Sequence, residues 1–514
     1  MDLRNLSKTP SLLRRVHEAA ISGGNVDTET IMSNPQHTHH PPTAPDPRRW
    51  KALALLCTAF FMVILDSAIV LVALPSIDAD LSFSAGDLQW VLSAYLLSFG
   101  GLLLLGGRAA DLLGRRRMFI VGTGLFALAS LGAGLAGSSG ALLTARAVQG
   151  VAAAIMTPTA LSIVMTTFQE GAERNKALGI WGSTGAIGGT AAWLVGGPIT
   201  DGLGWEWIFF LNVPVAGLVA ALSPVLLRES RGAARRRQFD VAGAVTITGA
   251  LVAMVYAVVE APQAGWADGQ TLGLLALAAV LVLVFVGIES RSAAPLAPLG
   301  VFRSRSLVGG NVVLFALGTT GFGVPFILTQ YAQEVLGWSP IQFGLASLVM
   351  PVTAVIGTTA AQALAGKLGV RPVAVVAMAL TGLGSLFLTQ VSVGGSYLGD
   401  LFPALLLLGP GIGAAYVAGS IASLTGVADA DAGLASGLNN ASFQIGGAVG
   451  VAILSTVAVS SADGADALGA LTDGYRSAFA VAIVIAALGA VAGGLLLRSG
   501  RRREAIAQAE PVAA

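Results

Sequence analysis

Two charged side chains stand where charge is costly. Asp66 falls inside the apolar run 52–75, and of 28 acidic residues it alone occupies a position near the middle of a bilayer-length segment. Arg146, in Leu142-Leu143-Thr144-Ala145-Arg146-Ala147-Val148-Gln149-Gly150, is the only cation so placed. A charge at the bilayer centre costs roughly 2.5–3.5 kcal/mol even on the lenient insertion scale, so each residue needs a reason to be there. A carboxylate in that position can carry a proton; the alternative is an ion pair that only orders the helices. A neighbouring Arg146 would favour the ionised carboxylate and desolvation the neutral acid, a competition that sets when Asp66 gives up its proton. Gln149, one helical turn beyond Arg146, is a hydrogen-bonding position open to a structural or a substrate-facing role.

The elements that must carry these residues follow from composition. The chain has 514 residues, 54% hydrophobic and 11% charged, against about 25% charged in soluble proteins. Fourteen apolar runs fall at 52–75, 90–106, 118–137, 142–168, 176–200, 207–227, 241–260, 271–288, 308–331, 342–366, 372–392, 399–424, 434–459 and 477–497. A spanning helix needs about 20 apolar residues, so these runs predict an all-α polytopic membrane protein with 14 transmembrane helices. An even count puts both termini on one side. Arg108, Arg115, Arg116, Arg117, Arg174, Lys176, Arg228, Arg231, Arg291, Arg303, Lys367 and Arg371 all lie in the loops of that side, and Arg476 alone lies opposite. By the positive-inside rule that side is the cytoplasm, and the protein is expected in the cell's inner membrane.

Other classes are excluded. No long polar stretch between Lys51 and the C-terminus would house a soluble enzyme domain, and no Gly-x-x-x-x-Gly-Lys-Ser/Thr loop is present for a nucleotide. Neither an enzyme nor an ATP-driven pump is expected, nor any cofactor. Net charge +1 gives no argument for a nucleic-acid partner. The single cysteine, Cys57, permits no internal disulfide and reads as a small core residue. Residues 1–50 read as a polar cytoplasmic tail in which His37, His39 and His40 are solvated, so no metal site is expected.

An internal repeat sets the domain plan. Gly107-Arg108-Ala109-Ala110-Asp111-Leu112-Leu113-Gly114-Arg115-Arg116, after helix 2, has a worn echo in Gly366-Lys367-Leu368-Gly369-Val370-Arg371-Pro372 after helix 10. The offset of eight helices predicts two six-helix halves with a helix pair inserted between them. The divisions are a tail at 1–50, an N-terminal half at 51–228, the inserted pair with its loops at 229–306, a C-terminal half at 307–498 and a tail at 499–514.

These segments resemble the major facilitator superfamily, and within it the fourteen-helix drug:proton antiporter family. The loop after helix 2 matches the signature G-x-L-A-D-R-x-G-R-R through Gly107, Ala110, Asp111, Gly114, Arg115 and Arg116, with Ala109 and Leu112 departing. Leu65-Asp66-Ser67-Ala68-Ile69-Val70-Leu71-Val72-Ala73-Leu74-Pro75 is similar to L-D-x-T-I-V-N-V-A-L-P, and the Arg146 segment matches L-x-x-x-R-x-x-Q-G. Trp205 through Pro214 resembles W-R-W-I-F-x-x-N-V-P, with Glu206 for Arg. Helix 5 departs: Ala192-Trp193-Leu194-Val195-Gly196-Gly197 replaces G-P-x-x-G-G, which removes the Gly-Pro pair and makes Trp193 either a substrate-stacking wall or packing. Gly182, Gly185, Gly189 and Gly196 are expected to form one smooth packing face.

The resemblance implies a major facilitator fold and a proton-coupled efflux transporter that exports lipophilic neutral or monocationic compounds, antibiotics among them, by alternating access. Asp66 and Arg146 would form the proton-coupling site. Gly107, Asp111, Gly114, Arg115 and Arg116 would form a latch holding the halves in the outward-open state. Gln149, Trp193, Gln330, Tyr331, Asn439, Asn440 and Gln444 are the cavity candidates, each as open to a helix-gluing role as to a lining one. Alternative readings are a proton-coupled importer of a small metabolite, which the missing Gly-Pro favours, and a transport-inactive membrane sensor or scaffold, which two buried charges disfavour.

Overall fold

The computed structural model describes residues 47–83, 87–169, 171–230, 240–292, 295, 299–427, 432–462 and 466–497. Both termini, the three tail histidines and the arginine-rich stretch from 231 to 239 lie outside them.

Among the described residues fourteen long helices run in order: α1 Arg49–Leu81, α2 Trp90–Leu113, α3 Arg115–Gly134, α4 Ser139–Thr167, α5 Ala172–Leu203, α6 Trp207–Leu226 and α7 Val241–Ala264. Then come α8 Gly269–Arg291, α9 Arg305–Gln330, α10 Pro340–Leu368, α11 Val370–Leu388, α12 Tyr397–Leu424, α13 Ala432–Ser460 and α14 Ala467–Leu496. Thirteen of them are long and apolar enough to cross a membrane. The other, α5, has 32 residues but is diluted in apolar character by glycine and hydroxyl side chains. Helices are the only open-ended elements that satisfy every backbone polar group inside lipid, which is why apolar runs of this length take that form.

The helices overrun the apolar runs that predicted them. α1 reaches Leu81, and α2 continues through Arg108 and Asp111 to Leu113. α14 begins at Ala467, ten residues before its apolar run, so that Arg476 lies within the helix and donates from Nε to the Val391 carbonyl at 2.7 Å. α6 is interrupted at Leu211, between Trp207–Phe210 and Asn212–Leu226, and Pro214 at the start of the second segment cannot donate to the preceding turn. α9 ends in a π turn over Tyr331–Val335.

Packing repeats with the predicted offset of eight. α1 packs on α4, α5 and α6, and α9 on α12, α13 and α14; α2 on α4 answers α10 on α12; α3 on α4 and α6 answers α11 on α12 and α14. Two six-helix halves thus share one arrangement, while α7 and α8 pack on each other and α7 alone rests against α2 and α13. Leu283 on α8 is 70% exposed, and Val280, Val284 and Val286 lie open beside it, a face for lipid tails. Close helix approach within a half rests on missing side chains: a Cβ on Gly106 of α2 would strike the Ala154 backbone of α4, and one on Gly150 would lie 2.8 Å from Ser98 Cβ. Small residues serve this purpose where both helix faces are apolar and lipid offers no hydrophobic drive to associate.

Candidate functional site: a buried carboxylate cage

Asp66 sits near the middle of α1, at 0% exposure, and every hydrogen-bonding partner of its side chain comes from the N-terminal half. From α4, Arg146 Nη1 donates to Oδ2 at 2.7 Å, and Gln149 Nε2 donates to Oδ1 at 3.2 Å. From the break in α6, Asn212 Nδ2 donates to the same Oδ1 at 2.8 Å. The two residues that sequence placed in mid-membrane therefore touch, and the ion pair is wholly buried. An ionised carboxylate with three donors is a satisfied one, which is how a charge persists in so dry a place.

Arg146 is held as firmly. Its Nε donates to the Val91 carbonyl of α2 at 2.9 Å, Nη1 also reaches Gln149 Oε1 at 2.9 Å, and the guanidinium lies 4.4 Å from the Tyr95 ring centroid. Phe209 supplies a second ring at 5.7 Å. Cation–π contact with desolvated rings adds about 2 kcal/mol of attraction that involves no proton. Gln149 extends the network to α3 through Ser130 Oγ at 2.8 Å. Sequence reading picked out Asp66, Arg146 and Gln149. Asn212 falls within the Trp205–Pro214 motif, and Ser130 and Tyr95 carry no signal in the sequence beyond being polar groups in apolar runs.

Gln149 is thus a member of this cage and is 0% exposed, so its substrate-facing alternative is not realised here. Trp193 is not a wall of an open cavity either. It is buried, meets Phe343 of α10 edge-on at 5.6 Å, and its carbonyl is where a Cβ on Gly344 would fall, at 2.5 Å. Here α5 and α10 close against each other: a Cβ on Gly197 would lie 2.7 Å from the Pro340 carbonyl, and Asp201 Oδ2 accepts the Ile341 N–H at 3.1 Å. Gln333 Nε2 donates to the Val72 carbonyl of α1 at 2.9 Å, joining the halves at the same end of the bundle.

The other cavity candidates scatter. Tyr331 is buried and donates to the Ser392 carbonyl at 2.7 Å. Asn440 bonds back to Ser436 of its own helix at 3.2 Å. Gln444, 7% exposed, lies where α13 meets Gly100 of α2. Buried carbonyl oxygens of Gln330 and Asn439 accept no hydrogen bond, which leaves these two amides the best placed to take a donor. On α5, Gly185 and Gly196 face Phe60 and Ile69 of α1, but a Cβ on Gly182 or Gly189 meets nothing within 4 Å. The smooth face is completed by Gly188, which lies 3.2 Å from the Phe61 carbonyl by the same measure.

At the opposite end, the loop after α2 bonds to itself and to the chain that follows α6. Asp111 Oδ1 accepts from Arg115 at 3.1 and 2.8 Å; Arg116 N–H donates to Glu229 Oε1 at 3.1 Å, and Arg115 N–H to the Ser230 carbonyl at 2.9 Å. Gly114 turns the chain at φ 113°, where a side chain would be strained and would also collide with Glu229. Gly107 plays no such part: it is inside α2, and its Cβ would sit at an ordinary 3.4 Å from Pro158. The tight approach is at Gly106.

The Major Facilitator Superfamily profile matches residues 56–450, with a second, overlapping match at 311–513. The chain belongs to this superfamily. It is 40% identical over 451 residues to the puromycin resistance protein pur8 of Streptomyces alboniger, covering 86% of this chain and 89% of that one. Identity to the cephamycin export protein CmcT of Amycolatopsis lactamdurans is 38% over 436 residues, 83% and 88% of the two chains. Among solved structures, the POT family transporter PepTSo superposes with a TM-score of 0.63 at 15% identity, covering 89% of this chain and 98% of that one, a likeness of fold. The superfamily membership establishes a multi-pass membrane transporter and accords with the fourteen helices and their repeated packing.

Proposed function

We propose that this protein exports lipophilic small molecules, antibiotics among them, from the cell in exchange for protons, with Asp66 as the proton site. The observation that carries the reading is the Asp66 cage: an ionisable group at mid-bilayer, balanced by Arg146 and tied to three further helices. Protonating Asp66 weakens its hold on α4 and α6 together, and that loosening is what couples a proton to a rearrangement of the half. The resistance and export functions named for the relatives support the direction of transport and antibiotics as cargo.

With the arginine-rich loops in the cytoplasm and both termini there, the α5–α10 closure seals the outer face, and the conformation is inward-facing. The latch then rests on itself and on the start of the inserted segment through Asp111, Arg115, Arg116 and Glu229, and would cross to the C-terminal half in the outward-open state. The halves divide at 51–228 and 307–498, with 229–306 as the inserted pair. No cofactor takes part; the proton gradient across the inner membrane drives the cycle. Asp66 is enclosed in this state, so drug and proton do not share the carboxylate directly, and coupling runs through the helices. Accumulation of a panel of labelled lipophilic compounds in an efflux-deficient host tests the reading: expression should lower accumulation of some of them, and collapse of the proton gradient should abolish the difference. Unchanged accumulation across the panel, or lowered accumulation that survives the collapse, would refute it.

A further inference from the structure

The oxygen of Asp66 that receives a proton can be read from its neighbours. Oδ2 faces the Arg146 guanidinium, which has N–H donors and no acceptor, so an added hydrogen there would point into positive charge. Oδ1 faces two amides, Gln149 and Asn212, and an amide offers either a donor or an acceptor according to which end it presents. Gln149 is committed: its Oε1 accepts from Arg146 at 2.9 Å and its Nε2 donates to Ser130 at 2.8 Å, so turning it over would break both bonds. Asn212 is not. Its single side-chain hydrogen bond among the described residues is the one to Asp66 Oδ1. It stands at the first position of the helical segment that follows the break in α6, 1% exposed. The remaining groups packed around the site are Tyr95 of α2, whose hydroxyl is directed 3.4 Å to the Val63 carbonyl, Ser130 of α3 and Phe209 of α6.

We propose that Asn212 is a positioning residue for proton binding: its amide donates to the ionised Asp66 carboxylate and, after turning over, accepts the O–H of the protonated acid. This rests on the reading of Asp66 as the proton site. The proton comes from water, forms the Oδ1–H bond, and returns to water on the other side; no other bond is made or broken. In both states Oδ1 keeps a hydrogen-bonded partner on α6.

The test compares Asn212→Thr with Asn212→Val, which have equal shape but differ in a hydroxyl able to donate and accept. In proteoliposomes with an imposed pH gradient, Asn212→Val should lose uphill transport of an exported compound at least tenfold across the pH range, while Asn212→Thr retains most of it. Infrared difference spectra on acidification should show the protonated Asp66 carboxyl band, identified by its absence in Asp66→Asn, displaced in Asn212→Val and close to the parent position in Asn212→Thr. Equal transport by the two variants, whether both normal or both impaired, or an undisplaced band in Asn212→Val, would overturn the proposal. Asp66→Asn run in parallel separates the two levels: if it still transports uphill, the reading of Asp66 itself has failed. If it does not while Asn212→Val does, only the role of Asn212 has.

Discussion

Replacing Arg146 by Met removes the positive member of a pair whose two side chains are both at 0% exposure. Asp66 would keep Gln149 and Asn212 as donors but lose the 2.7 Å charge-assisted bond. Breaking a buried pair from one side costs about 3–5 kcal/mol, because the surviving charge is left uncompensated. The loss is specific to the ionised carboxylate, so its sign with pH is fixed. As pH falls and Asp66 takes a proton, the stranded charge disappears and the deficit shrinks; as pH rises it grows to its full value. Asp66→Asn in the Arg146→Met background removes the second charge as well and should recover most of the lost stability at high pH. The assay is thermal unfolding of purified protein in detergent across a pH series, for parent, Arg146→Met and the double variant. A deficit that ignores pH, or a double variant no more stable than Arg146→Met, would show that the pair does not carry the electrostatic role assigned to it. Transport should follow the same logic: without the neighbouring positive charge proton release is harder, and the pH optimum of efflux in Arg146→Met should move upward.

Asp66→Asn should insert and fold normally but lose uphill efflux, since an amide cannot cycle its charge; Asp66→Glu should retain part of it, and full uphill efflux by the Asn variant would exclude Asp66 from coupling. Gly344→Val should wedge α5 from α10 where the Trp193 carbonyl sits 2.5 Å from a Cβ, an overpacking of about 1–3 kcal/mol that shifts the balance toward the open outer face. Spin labels at Leu203 and Trp338 should report a longer distance, and an unchanged distance in folded protein would remove the closure from that contact. Reporter fusions after Gly265, Trp338 and Ser461 should read outside, and after Arg236, Gly369 and Gly426 inside; an outside signal at Gly369 would break the assigned topology.

The parts legible in the sequence are those governed by the cost of charge in lipid. Asp66, Arg146 and Gln149 stand out because polar groups are rare in apolar runs, and helical spacing puts Arg146 and Gln149 on one face. Asn212 did not stand out, because what assigns it to Asp66 is a contact across 146 positions of sequence, made at a helix break that apolar periodicity does not reveal. Helix ends were misjudged wherever polar residues continue a helix past the lipid: Arg108 and Asp111 in α2, and Thr472, Asp473 and Arg476 in α14. Glycine is ambiguous for a related reason. Gly106 and Gly107 are adjacent, yet only Gly106 points at the α4 backbone, and Gly188 replaces Gly189 on the face toward α1. Which of two neighbouring glycines matters depends on the rotational setting of the helix. Trp193 could not be placed from sequence because its partner, Phe343, belongs to the other half.

The complete enclosure of Asp66 also bears on how such a transporter can diversify. A carboxylate that met the cargo directly would tie the chemistry of recognition to that of energy supply, and each new cargo would disturb the proton equilibrium. On the proposed reading of Asp66 as the proton site, with the acid walled off among α1, α3, α4 and α6, the surfaces that meet the cargo are free to drift in size and polarity while the cage stays as it is. Substitutions at cargo-contacting positions should then reorder the list of compounds exported and leave the pH profile of export where it was. A change of substrate would be an inexpensive evolutionary step, open to any lineage that already possesses the cage.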